Sequence, residues 1–177
     1  MPGIKSFNKQ KLKIFEAMIN EAYLLTGTNL GERMFNLEKA LDLINIECGK
    51  VIAFSSLYET APWGKADQPS FLNQAIAIKT SLNARQLMRK ILKVEKLLGR
   101  IRKEKYGPRI IDIDILFFGQ EVHNYQLLKL PHPELPNRRF ALMPLAEIAP
   151  GLNHPVLKKN IKQLLKECKD PLPVKKI

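Results

Sequence analysis

The run from Ile110 to Phe118 is β-branched, aromatic or leucine at every position except two, and Gly119-Gln120 ends it. A run of that composition reads as extended chain with at least one buried face. Side chains alternate along a strand, so Asp112 and Asp114 share one face, about 7 Å apart along the chain, while Ile111, Ile113 and Ile115 share the other. Two carboxylates placed this way repel each other and are costly to desolvate unless cations compensate them. Lysine or arginine partners on a solvated sheet face can do this. So can Mg²⁺, which takes one or two carboxylates together with phosphate oxygens, and a pair of ions can clamp a polyphosphate.

The segment before this strand bears on that choice. Gly99 to Arg109 holds Arg100, Arg102, Lys103, Lys105 and Arg109 against the single acid Glu104. Guanidinium forks match phosphate oxygens, and flanking glycines let a loop close over a bound nucleotide. Set beside the aspartate pair, the loop points to a polyphosphate with metal. A third cluster follows in Pro131-His132-Pro133 and Asn137-Arg138-Arg139-Phe140. His132 can donate to a phosphate whether neutral or cationic. His123 and His154 have no such company and read as surface residues.

The rest of the chain supplies the frame. Ala22 to Leu25 reads as a buried strand closed by a turn at Thr26-Gly27-Thr28-Asn29. Leu30, Met34, Leu37, Leu41 and Ile44 recur at helical spacing up to Gly49. Lys50 to Tyr58 and Phe71 to Thr80 read as strands, separated by a loop over Glu59 to Ser70. Asn83 to Leu98 is a second helix stopped by Gly99. Beyond the acidic strand come a hairpin partner over Glu121 to Leu130, a helix over Asn137 to Ile148 broken near Pro144, and an amphipathic helix over Val156 to Cys168. The order β-α-β-β-α-β is the ferredoxin-like split βαβ pattern. It predicts an α+β fold whose mainly antiparallel four-stranded sheet carries helices on one face, with a C-terminal hairpin and helices appended.

At 177 residues and 45% hydrophobic, the chain can bury one sizeable core. Residues 21–170 are expected to form one catalytic domain, with 1–20 a disordered or foreign extension and 171–177 a tail. Most of the +12 net charge lies at the lysine-rich ends, four lysines against two acids in residues 1–21 and seven against two in 158–177, so global charge says little about a polyanionic partner. No run approaches the length of a membrane span and the N-terminus has no secretory h-region, so a cytoplasmic protein without a membrane partner is expected. Cys48 and Cys168 have no metal-binding companions and read as ordinary thiols.

Five separated motifs occur in one order: Gly27-Thr28-Asn29-Leu30-Gly31, Tyr58 to Gly64, Asp67 to Asn73, Gly99 to Asp114, and Pro131-His132 with Asn137-Arg138-Arg139-Phe140. Over about residues 22 to 155 the set resembles the 6-hydroxymethyl-7,8-dihydropterin pyrophosphokinases of folate biosynthesis. That resemblance implies transfer of the diphosphate of ATP, the co-substrate, to the hydroxymethyl group of the dihydropterin, with release of AMP. It implies two Mg²⁺ ions held by Asp112 and Asp114, and catalytic roles for Arg100 and Arg102. Glu95, Arg102, Tyr106, Arg109, Ile115, His132 and Arg138 would contact ATP. Phe71 and Phe140 would sandwich the pterin, and Thr60, Ala61, Pro62, Trp63 and Asn73 would hold its polar edge. Tyr106 stands where tryptophan is common and Pro133 where an aromatic is common. A monomer is expected, with no nucleic-acid partner, since an RNA module of this topology would carry a Lys/Arg-Gly-Phe-Gly-Phe run that is absent here.

Overall fold

The computed structural model describes residues 19–62, 67–101 and 107–177. Its elements are β1 (Asn20–Thr28), α1 (Arg33–Glu47), β2 (Lys50–Phe54), β3 (Tyr58–Thr60), β4 (Phe71–Thr80), α2 (Ala84–Leu97), β5 (Asp112–Phe118), β6 (His123–Tyr125), β7 (Leu128–Leu130), a 3₁₀ turn (Leu135–Asn137), α3 (Arg139–Ile148), α4 (Ile161–Glu167) and β8 (Val174–Lys176). The main sheet runs β5-β1-β4-β3-β8, with β2 also on β4, and every pairing is antiparallel. This is the α+β architecture that the element order predicts.

Alternation along β1 assigns the two faces. Ala22 and Leu24 pack with Ile76, Ile78, Ile113 and Ile115 beneath α1 and α2, which contribute Leu37, Ala40, Ile44, Leu87, Ile91 and Val94. Tyr23 and Leu25 face the other way, with Ala75, Leu116 and Phe117 beneath α3 and α4. The appended helices thus give the sheet a second covered face. A register shift at Tyr23/Leu24 lets Leu116 and Phe117, consecutive in β5, serve the same side. A buried leucine or phenylalanine is worth roughly 1.5–3 kcal/mol, so both layers contribute to stability.

Several boundaries differ from the sequence reading. β1 continues through Thr28 instead of turning at Thr26, because Gly27 and Thr28 remain paired with Asn73 and Leu72. Leu30 precedes α1, and Met34 is 57% exposed, since the helix buries the stripe Leu37, Ala40 and Ile44. The strand read from Lys50 to Tyr58 divides at Ser55, whose N–H donates to the Ala75 carbonyl and whose Oγ accepts from the Ala75 N–H. Pairing resumes at Tyr58, which turns Glu59 and Thr60 from loop into strand. β6 and β7 pair with each other in a separate hairpin. α3 is unbroken with Pro144 inside it, and Pro144 is buried beside Ala141, Leu142 and Leu145. The lost N–H costs one helical bond, and the packing holds the helix through it.

Further corrections concern the C-terminal part. α4 starts only at Ile161, behind an Asn160–Gln163 capping box. Before it, His154 is buried rather than on the surface. Its Nδ1 accepts from the N–H groups of Val156 and Leu157, and its ring meets Phe117 edge-on at 5.5 Å. His123 is half-buried and lies 2.6 Å from Glu121. Residues 174–176, read as part of a tail with the composition of a frayed end, pair as β8 with β3, and the Ile177 N–H donates to Leu57. Both cysteines are free and buried. The reading of residues 1–18 as an extension lies outside the described residues.

β8 backs the strand that leads into the cleft, and Lys176 joins Tyr58 and Ser56 on the Glu147 carboxylate. Deleting residues 173–177 is expected to lower unfolding free energy by about 1–3 kcal/mol in a urea melt, the range for losing a few backbone bonds and one exposed ion pair. A melt unchanged by the deletion would show that the pairing carries no stability.

Candidate active site

Antiparallel register places one row of residues across four strands. Asp112 lies opposite Gly27, Gly27 opposite Asn73, and Asn73 opposite Tyr58. The next row is Asp114, Leu25 and Ala75. Residues opposite each other on paired strands point to the same side, so both aspartates lie on the face that α3 covers. A cleft of about 270 Å³ opens at the row through Gly27. A Cβ at Gly27 would come within 2.8 Å of Asn73 Oδ1, so only glycine leaves the middle of that row clear.

One wall is ionic. Asp112 accepts from Arg100 and, at 2.8 Å, from Arg109. Asp114 Oδ2 lies 4.0 Å from both His132 Nε2 and Arg138 Nη1. Burial at the cleft floor, and next the charge of Asp112, push the Asp114 carboxyl up to about 7, against the opposing pull of Arg138 and Arg109. Ionising both carboxylates of the pair is therefore costly at this depth. His132 is pushed down to about 4, first by burial and then by Arg138, so its ring is neutral near pH 7. Its Nδ1 accepts the Glu134 N–H, which leaves the ring proton on Nε2, the atom facing Asp114. The His132 N–H donates to the Leu116 carbonyl and fixes this segment against β5. Arg138 immediately precedes α3, whose start is tied down by Arg139 bonding Asp170 and the Cys168 carbonyl.

The other wall is aromatic and amide. Phe71, 8% exposed, lies beneath the Arg109 guanidinium at 5.4 Å, and Arg138 lies 5.7 Å from the Phe140 ring centre. Asn73 Nδ2 donates to Thr60 Oγ1 at 2.9 Å, which joins β4 to β3 at the cleft edge.

The fold brings most of the sequence candidates together. Arg100, Arg109, Asp112, Asp114, His132 and Arg138 line the cleft, as do Thr60, Ala61, Phe71, Asn73 and Phe140. Pro62 follows them in the chain without lining it. Ile115 does not line the cleft: strand alternation turns its side chain, 4% exposed, into the core beneath α1 and α2. Glu95 does not line the cleft either. It is 3% exposed, binds Arg100 and accepts the Ile113 N–H at 3.0 Å, so it anchors the arginine behind the cleft. Arg102, Tyr106 and Trp63 lie outside the described residues. Leu25 and Gly27 line the cleft without having been singled out for it. A glycine inside a strand was the available signal for Gly27, hidden once the strand was taken to end at Leu25.

Paired carboxylates under a cationic wall, facing an aromatic slot, have the make-up of a group-transfer site. Residues 23–150 match the family model described as 7,8-dihydro-6-hydroxymethylpterin-pyrophosphokinase. The chain is 43% identical over 145 residues to 2-amino-4-hydroxy-6-hydroxymethyldihydropteridine pyrophosphokinase of Aquifex aeolicus, covering 82% of this chain and 90% of that protein. It is likewise 43% identical to the enzyme of that name from Bacillus subtilis, covering 74% of this chain and 79% of the other. A folic acid synthesis protein of Pneumocystis carinii is 40% identical over 82% of this chain, which spans only 20% of that longer protein. The crystal structure of wild-type Plasmodium falciparum HPPK-DHPS with pteroate shares the fold, with a TM-score of 0.69, 20% identity, and 84% of this chain covering 44% of that one. The chain belongs to the 7,8-dihydro-6-hydroxymethylpterin-pyrophosphokinase family.

The two aspartates differ in their partners, and their asparagine variants should differ in stability. Asp112→Asn weakens the bonds to two guanidinium groups and is expected to cost about 1–3 kcal/mol in a ligand-free melt. Asp114→Asn should be neutral or stabilising. A carboxyl raised from its ordinary value to about 7 binds a proton in the folded state that the unfolded chain has released. The Asp114 contribution therefore falls as pH rises from about 4 to about 7, and Asp114→Asn removes that slope. His132 is common to both proteins and cancels from the difference. Equal slopes in parent and variant would contradict the assignment.

Proposed function

We propose that this protein transfers the diphosphate of ATP to the hydroxymethyl oxygen of 6-hydroxymethyl-7,8-dihydropterin, with Asp112 and Asp114 as the ligands of two Mg²⁺ ions. The observation that carries the reading is the single cleft in which both carboxylates face Arg100, Arg109, His132 and Arg138, with Phe71 and Asn73 alongside. The residues fit the metal. Asp114 is driven toward its neutral form by burial and next by the charge of Asp112, and among the described residues no group of three histidines, cysteines or acids makes a site from protein ligands alone. Two carboxylates completed by phosphate oxygens and water are the habit of Mg²⁺. When bound, the ions would neutralise the polyphosphate and polarise the transferred phosphorus.

The protein's own share is positioning and charge. The hydroxymethyl oxygen forms a bond to the β-phosphorus of ATP, the bond from that phosphorus to the bridging oxygen breaks and leaves that oxygen on AMP, and the hydroxyl proton passes to solvent water. Arg109 and Arg138 face the charge carried by the phosphates, and Arg109 suits this role because its Nε is buried with no hydrogen-bond partner among the described residues. Neutral His132 donates from Nε2 without adding charge. Phe71 and Phe140 hold the flat ring by their faces, while Thr60 and Asn73 offer hydrogen bonds to its amide edge. Arg100 is bound to Glu95 and Asp112 and lines the cleft, so its guanidinium is held within reach of the transferring group.

The deciding assay is incubation with ATP, Mg²⁺ and the hydroxymethyl dihydropterin, in which AMP should appear in step with pterin diphosphate. ADP as the nucleotide product would refute the reaction class. In the same assay Arg100→Ala should lower kcat by on the order of 10² while changing ATP affinity far less, as for a contact made mainly in the transition state. Loss of affinity at unchanged kcat would assign Arg100 to ground-state binding.

A further inference from the structure

Asn29 follows β1 and is 2% exposed, and it lies outside the set of residues that line the cleft. Every part of its side chain is engaged by the two segments that flank the site. Nδ2 donates to Gln68 Oε1 at 3.1 Å and to the Pro69 carbonyl at 3.2 Å. Oδ1 accepts the Arg109 N–H at 2.8 Å, and the Asn29 N–H donates back to the Arg109 carbonyl at 3.1 Å. The first segment leads directly into Phe71 on the aromatic wall, and the second carries Arg109 of the ionic wall. One planar amide thus joins the two, and its buried position makes any loss of these bonds unfavourable.

The neighbouring contacts stiffen the same junction. Arg33 Nη1 donates to Glu59 Oε1, to the Ser70 carbonyl and to Ser70 Oγ, which fastens the ends of β3 and β4 to each other. Residues 67–70 are therefore held at Ser70 by Arg33 and at Gln68 and Pro69 by Asn29. The Arg109 guanidinium closes the circuit over the Phe71 ring. Displacing either segment strains a buried amide that the other also needs.

We propose that Asn29 is a positioning residue that couples the aromatic wall to the phosphate wall, so that a ligand ordering one side raises affinity on the other. Asparagine suits this role because it offers two donors and an acceptor in one rigid group. Aspartate cannot donate to Gln68 and Pro69, and alanine can serve neither segment. The ligands named for the test rest on the function proposed above, whereas the coupling itself does not.

Two measurements on the full chain test it. Without ligand, amide exchange of Arg109 is compared between the parent and Gln68→Ala, a change that does not touch Arg109. Coupling through Asn29 predicts exchange faster by about fivefold or more, and an unchanged rate overturns it. With ligands, the Kd of α,β-methylene-ATP with Mg²⁺ is measured with and without 6-hydroxymethylpterin. The ratio of the two should shrink by at least about fivefold in Asn29→Ala, within the usual range of site-to-site coupling. A ratio equal to the parent's, in a variant whose melt shows it folded, overturns the proposal. Should the parent bind neither ligand, the reading of the cleft fails, and the exchange comparison still decides the coupling.

Discussion

The close approach of β4, β1 and β5 at Gly27 sets the conditions for everything else in the cleft. β1 is the central strand of the row, with Asp112 on one side and Asn73 on the other. Any side chain at position 27 would run into the Asn73 amide and fill the space between the carboxylates and the aromatic slot. The register that creates this opening is enforced by burial on both faces. A slip of one residue would turn Leu24, Ile113 and Ile115 away from α1 and α2 and send the aspartates into an apolar core. Hydrophobic patterning thus positions the polar site without taking part in it.

The electrostatics follow from that placement. Two carboxylates on one face could have been neutralised entirely by arginine, and Asp112 comes close to it with Arg100 and Arg109 as partners. Asp114 does not. Among the described residues Arg138 stands 4.0 Å from it, and at the same distance is His132, which burial keeps neutral. Among the described residues the site is asymmetric: Asp112 is paired with two guanidinium groups, and Asp114 has Arg138 only at 4.0 Å. Such an arrangement is costly for the protein alone and favourable once a polyvalent cation and phosphate enter together.

Much of this was legible in the chain. The same-face aspartates, the arginine-rich segment before them and the split order of strands and helices each followed from spacing and composition. The errors arose where tertiary contacts overrode local signals. Gly27 looked like a turn because glycine usually marks one, whereas here it marks a close approach inside a strand. Val174 to Lys176 looked solvated by composition, yet β3 offered a free edge for them to pair with. Pro144 was read as a break, but the packing of Ala141, Leu142 and Leu145 carries the helix past it. Glu95 and Ile115 were placed at the nucleotide by resemblance, and the strand alternation and the Arg100 pairing that turn them inward cannot be read from motif order. Asn29 lay within a recognised motif, but its bonds reach residues 39, 40 and 80 positions away, which no local pattern reveals.

The central claim is that Asp112 and Asp114 form a metal site completed by polyphosphate, and counting bound ions tests it most directly. Mn²⁺ can replace Mg²⁺ as an oxygen-preferring probe whose free concentration is read by electron paramagnetic resonance. With saturating α,β-methylene-ATP and 6-hydroxymethylpterin, the protein complex should hold two Mn²⁺ per chain, one more than the nucleotide binds by itself at the same concentration. Asp114→Asn, which leaves the arginine pairs of Asp112 in place, should lose at least one of them. Uptake that is identical in parent and variant would contradict the account and leave the aspartates as partners of arginine alone.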